Sequence, residues 1–144
     1  PRTLALYDDY QVALEIIELM KNKKNVKAIS TLKYTPSEIK GAIGQLDLFI
    51  GTRMHTLIFA APMNVPLVAI AYSFKHIEFM EMLGQSDKVC DIKRINFDIA
   101  KNMVVNTLED RIYIKRMLKT KVKSLQNCAM QTANLVSTFI NEFC

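Results

Sequence analysis

Glycine and proline are scarce in this sequence, four of each in 144 residues. That scarcity excludes collagen-like repeats and linker sequence. Long hydrophobic runs are missing too. The longest, Leu57 to Ala71, is broken by Asn64 and two prolines and falls short of the ~20 residues a membrane span needs. Three cysteines, Cys90, Cys128 and Cys144, make an odd number without CxxC or zinc-like spacing. Neither a disulfide framework nor a metal site is expected, and a reducing compartment fits. No signal peptide, internal repeat, linker or low-complexity tract is visible. A chain that opens on Pro1, close to a helix, reads as an excised piece of a longer polypeptide. Acidic residues are absent from one segment: between Arg111 and Lys123 there are six basic residues and no acid, and the thirteen basic and fourteen acidic residues elsewhere leave −1 of the total of +5. A pervasive nucleic-acid-binding face is therefore not expected.

What is present is an ordinary globular composition, half apolar and 23% charged, at a length suited to one domain spanning residues 1–144. Helical and strand signals alternate along it. Asp8 to Lys24 has apolar residues at helical spacing (Ala13, Ile16, Ile17, Met20), acids at its start and lysines at its end. Val26 to Ser30 is a short strand candidate. Thr35-Pro36-Ser37-Glu38 opens a second helix through a capping box with proline in the first turn. Leu46 to Ile50 and Pro66 to Ala71 are apolar strands without polar alternation, as expected of parallel strands covered on both faces. Helices follow them, from about Arg53 to Met63 and Phe74 to Leu83, the second stopped by Gly84. Lys88 to Ile92 is a fourth strand. Asn96 caps a helix through Leu108, and residues 109–140 form a long basic amphipathic helix. This order predicts an α/β fold: a Rossmann-like parallel sheet with helices on both faces. Four strands fall short of the five or six of a complete doubly wound domain.

In such a sheet, ligands bind at the carboxyl ends of the strands. That rule selects the loops Thr31–Thr35, Gly51–His55 and Tyr72–His76. Gly51 lets backbone approach a ligand, and a helix start supplies free amides beside Arg53 and His55. Lys75 also stands at a helix start, where a cation is unfavourable unless an anion sits there. If the two strands are neighbours, Arg53, His55 and Lys75 face one crevice suited to phosphate plus carboxylate. Set against this, a Gly-x-Arg tripeptide is a weak signal, and His55 alone would read as a structural histidine. His76 reads as a solvated surface residue, Met80 and Met82 as core, and Asp47 as a local orienting group.

The stretch Glu38 to Gly84 adds a resemblance. Asp47-Leu48-Phe49-Ile50-Gly51, Arg53-Met54-His55, Val65-Pro66 leading into a strand, Ala69-Ile70-Ala71-Tyr72, Lys75 and Met82-Leu83-Gly84 together resemble the C-terminal half of polysaccharide pyruvyl transferases. His55 and Lys75 stand twenty residues apart, as in that family's pattern. The resemblance implies the C-terminal half of a GT-B-like fold and transfer of a pyruvyl group from phosphoenolpyruvate to a sugar, forming a ketal. Carried over, Arg53, His55 and Lys75 are catalytic. Gly51, Thr52, Met54, Tyr72 and Ser73 bind substrate, and neither metal nor cofactor is implied beyond the phosphoenolpyruvate donor. A further arginine is expected from an N-terminal half that this chain lacks, so the chain alone is expected to be inactive. The implied partners are phosphoenolpyruvate and a sugar or lipid-linked oligosaccharide, with no nucleic acid. The implied location is the cytoplasm, at the inner face of the cell membrane.

Two other readings use the same residues. A GT-B-like glycosyltransferase would place nucleotide-sugar phosphates on Arg53, His55 and Lys75, with Glu78 and Glu81 as weak ribose contacts. A non-catalytic binding module would keep the fold without turnover. On the long helix, Arg111, Lys115, Lys119 and Lys123 form one stripe and Ile114, Leu118, Val122 and Leu125 another. The basic stripe is either a solvated face or a peripheral contact with an anionic membrane.

Overall fold

A computed structural model describes residues 9–143, without the side chains of Thr31, Glu142 and Phe143. The chain divides into two compact units, one ending at Ile39 and one beginning at Lys40. The first holds α1 (Asp9–Leu19), a 3-10 turn at Thr31–Lys33 and the start of α2 (Pro36–Ile43). The capping box forms as its sequence predicts. Thr35 N–H and Oγ1 each lie 2.8 Å from Glu38 Oε2, and Glu38 N–H donates to Thr35 Oγ1 at 3.3 Å.

Two predictions for this unit are corrected. The first helix ends at Leu19 rather than Lys24. Asn22 and Lys23-Lys24-Asn25 are poor in apolar side chains, and Asn22 Oδ1 accepts from Lys24 N–H at 3.2 Å, a local bond that competes with helix continuation. Val26 to Ser30 is irregular, not a strand. A short segment does not make a strand without a neighbouring backbone to complete the ladder, and these residues have none among the described residues. The Asp8 part of the predicted helix start lies outside the described residues.

The second unit is a three-stranded parallel sheet in the order β1 (Phe49–Gly51), β2 (Leu67–Ala71), β3 (Val89–Asp91). Three described strands thus stand where four were predicted. The register sets Gly51 beside Ala69 and Ala71 beside Asp91. Connecting helices are α3 (Met54–Ala60, continued by a 3-10 turn at Ala61–Met63) and α4 (Phe74–Met82). Both pack against β2. α5 (Phe97–Glu109) also packs on β2, whose Leu67, Val68, Ala69 and Ala71 are buried, so both faces of the central strand are covered. This is the α/β, Rossmann-like half-domain that the alternating signals predict.

The predicted stop signals act as expected. Gly84 ends α4 at φ +71°, and the Asn96 side chain caps α5 by accepting from Ile99 N–H at 2.9 Å. After α5, Asp110 breaks the helical path and α6 (Arg111–Phe143) begins. Its Ile114, Leu118 and Val122 are buried, together with Leu57, Met80 and Leu83 of the core. Lys88, nearly enclosed, pairs with Asp87 at 2.9 Å and with Asp110 at 3.8 Å, which fastens the last strand to the α5–α6 corner.

Candidate functional site

Because β1 and β2 are parallel neighbours, the two loops leaving their carboxyl ends emerge at one edge of the sheet. Arg53, His55 and Lys75 belong to or directly follow these two loops. The β1–α3 loop is Thr52-Arg53. Arg53 is the N-cap of α3 in extended conformation, without a side-chain cap. A guanidinium has no acceptor to offer backbone amides, so the first-turn amides gain no side-chain cap from Arg53; the Arg53 carbonyl accepts from Thr56 N–H at 3.0 Å and from Thr56 Oγ1 at 2.7 Å. Arg53 and His55 are both exposed. α3 has only seven residues, so charge at this edge comes chiefly from the arginine and less from the helix.

The β2–α4 loop is Tyr72-Ser73. Ser73 is the N-cap of α4, also extended and also without a side-chain cap. Lys75, in the first turn, is exposed and has no acidic partner among the described residues. Two helix starts that carry cations and lack side-chain caps thus lie side by side.

The Ser73 hydroxyl is occupied elsewhere, and here the sequence reading is corrected. His76 is not solvated but 1% exposed. Its Nδ1 lies 3.1 Å from Ser73 Oγ and its Nε2 lies 3.0 Å from the Thr52 carbonyl oxygen of the other loop. Tyr72, itself exposed, meets the His76 ring edge-on with centroids 4.6 Å apart. The signal available in sequence was Ser73-x-x-His76, the spacing of a capping box with imidazole in place of carboxylate.

Gly51 has a second reason to be glycine. A Cβ there would stand 2.7 Å from Phe49 Cε1 and 2.8 Å from Leu57 Cδ2, so the core needs the hydrogen whatever the ligand. Met54 is half-buried and Thr52 exposed. Asp47, read as a local orienting group, pairs with Lys115 of α6 at 3.9 Å. The apolar groove of about 200 Å³ lined by Ile58, Pro62, Phe79, Leu83 and Leu125 involves the C-terminal parts of α3 and α4, away from the helix starts.

A family model described as polysaccharide pyruvyl transferase matches residues 3–74, half of the chain. The chain belongs to that family. The matched segment contains Gly51 to His55 and Tyr72-Ser73 and stops one residue before Lys75. A curated relative, the amylovoran biosynthesis protein AmsJ of Erwinia amylovora, is 26% identical over 88 residues, which is 61% of this chain and 21% of the relative. The chain thus spans about a fifth of that relative's length. No solved structure matches it.

Proposed function

We propose that this chain supplies the anion-binding edge of an enzyme that transfers a pyruvyl group from phosphoenolpyruvate to a sugar in exopolysaccharide biosynthesis. One observation carries the reading: Arg53 and Lys75 stand at two adjacent helix starts, neither with a side-chain cap, at the carboxyl edge of a parallel sheet. The family match, and a relative named for amylovoran biosynthesis, support the class of reaction.

The chemistry assigns a task to each residue. Phosphoenolpyruvate becomes electrophilic at C2 when its methylene gains a proton, and His55 carries a side chain of the type that serves as general acid. Arg53 offers a planar fork to a carboxylate or phosphate. Lys75 stabilises charge on the departing phosphate. Two sugar hydroxyls add at C2 and the C2–O–phosphate bond breaks. One hydroxyl proton replaces the proton given to the methylene, and the other leaves with inorganic phosphate. Gly51, Thr52, Met54, Tyr72 and Ser73 shape the surrounding wall. In this reading a second, N-terminal half of a GT-B-like fold closes the cleft and contributes a further arginine.

The test uses the full-length enzyme. His55→Ala should abolish phosphate release from phosphoenolpyruvate in the presence of acceptor, and undiminished turnover would end the assignment. Competition distinguishes donors: displacement of phosphoenolpyruvate by nucleoside diphosphates would favour glycosyl transfer, and the absence of any anion binding a non-catalytic module. With the reaction we propose a place at the inner face of the membrane, where the acceptor would be lipid-linked. The face in question is the basic stripe of α6. Within it, Lys115 pairs with Asp47 and Arg111 Nη1 donates to the Leu108 carbonyl at 2.8 Å. No described helix is long and apolar enough to cross a membrane.

A further inference from the structure

His76 is the third residue of α4, and its two ring nitrogens reach two different loops. The contact at Nε2 fixes its chemistry. The Thr52 carbonyl oxygen, 3.0 Å away, can only accept, so Nε2 carries a proton. The Ser73 hydroxyl completes the bridge at Nδ1, since a hydroxyl can donate to a bare ring nitrogen or accept from a protonated one. The arrangement diverts the serine hydroxyl from its usual N-cap role, which is to accept from the amides of its own helix. Instead the hydroxyl and the imidazole form a bridge between the loop before α3 and the loop before α4.

We propose that His76 is a positioning residue: an imidazole protonated at Nε2 that ties Thr52 to Ser73 and so sets the spacing between Arg53 and Lys75. Arg53 follows Thr52 directly and Lys75 precedes His76 directly, so neither cation has slack in the chain relative to the bridge. The consequence for ligand binding rests on the anion-site reading above, whereas the bridge itself does not.

Two measurements on the full chain decide it. Long-range proton–nitrogen spectra of the imidazole should show a protonated Nε2; a bare Nε2, or a ring averaging between tautomers, overturns the proposal. The second measurement compares His76→Leu, His76→Gln and His76→Asn by thermal unfolding, by backbone amide spectra and by titration with phosphoenolpyruvate and inorganic phosphate. The leucine fills the space without a donor, the glutamine amide extends to the Nε2 position, and the shorter asparagine does not. Loss of the bridge in His76→Leu and His76→Asn should weaken anion binding about tenfold, the scale of one lost hydrogen bond. The glutamine variant should recover most of that loss. If the leucine variant does not fold, the glutamine–asparagine comparison decides, and equal affinities in those two variants overturn the positioning role. If the wild-type chain binds neither anion, the anion-site reading falls. The bridge is then judged by the amides of Thr52 to Met54, which must shift in every variant that does not reach the Thr52 carbonyl.

Discussion

At the Thr35–Glu38 box, a backbone amide and a hydroxyl both donate to one carboxylate oxygen, and they hold the Glu38 carboxyl below its ordinary range. The amide bond is the larger cause and the hydroxyl the second. A depressed carboxyl contributes stability that is fully present above the unfolded-state value and lost as pH falls through the folded-state value. The start of α2 should therefore loosen on acidification, below the pH at which a free glutamate protonates. Carbon-detected titration of Glu38 checks this, and Thr35→Val should move the carboxyl back toward its usual range. Gly51 gives a second residue-scale prediction. Since an added methyl meets the fully buried Leu57, Gly51→Ala should cost about 1–3 kcal/mol in denaturant unfolding. That cost arises whether or not ligand is present. The contrast between these residues shows what a sequence displays. The capping box was legible because both partners are local and their spacing is stereotyped. His76 was not, because its burial depends on Thr52, twenty-four residues away, and a histidine between a lysine and an isoleucine looks like surface.

Among the elements, β1 and β2 were legible from apolar runs and β3 as a short strand within Lys88 to Ile92, whereas Val26 to Ser30 was not separable from a strand by pattern alone. Pairing is a property of two segments, which one segment's composition does not display. The helix ends were legible where a residue with one clear role marks them, as at Gly84 and Asn96. They were not where local side-chain bonds end a helix early, as after Leu19. α6 tests the element scale energetically. Leu118 is fully buried on the body of the second unit, so Leu118→Ala should cost about 2–5 kcal/mol. A charge change at Lys119, exposed on the same helix, should cost within about 0.5 kcal/mol. Thermal melts of the two variants separate the apolar stripe, which packs on the unit, from the basic stripe, which does not carry the fold.

For the molecule as a whole, the candidate site is a single edge: cations, uncapped helix starts and the His76 bridge all come from the loops after β1 and β2. The loop at Thr31–Thr35, singled out by the same strand-end rule, belongs to the first unit and loses its claim because the strand before it does not form. Arg53, His55 and Lys75 were legible as a set from the strand-end rule on condition that their strands are neighbours, and the family pattern strengthened that reading, since each residue alone has an ordinary explanation. Their common edge required the neighbour relation of β1 and β2, which no residue type encodes.

The helix α6 runs for 33 residues, yet its buried positions end at Val122, and from Gln126 to Asn141 every described residue is exposed. One continuous rod therefore has two thermodynamic regimes. Amides up to Val122 can exchange with solvent only when the body of the unit opens, while those beyond Gln126 depend on a helix of marginal intrinsic stability. Deuterium uptake should climb steeply between these residues, with the distal amides exchanging by fraying and the proximal ones at the rate of global unfolding. A flat profile along the whole helix would mean that something else covers its second half.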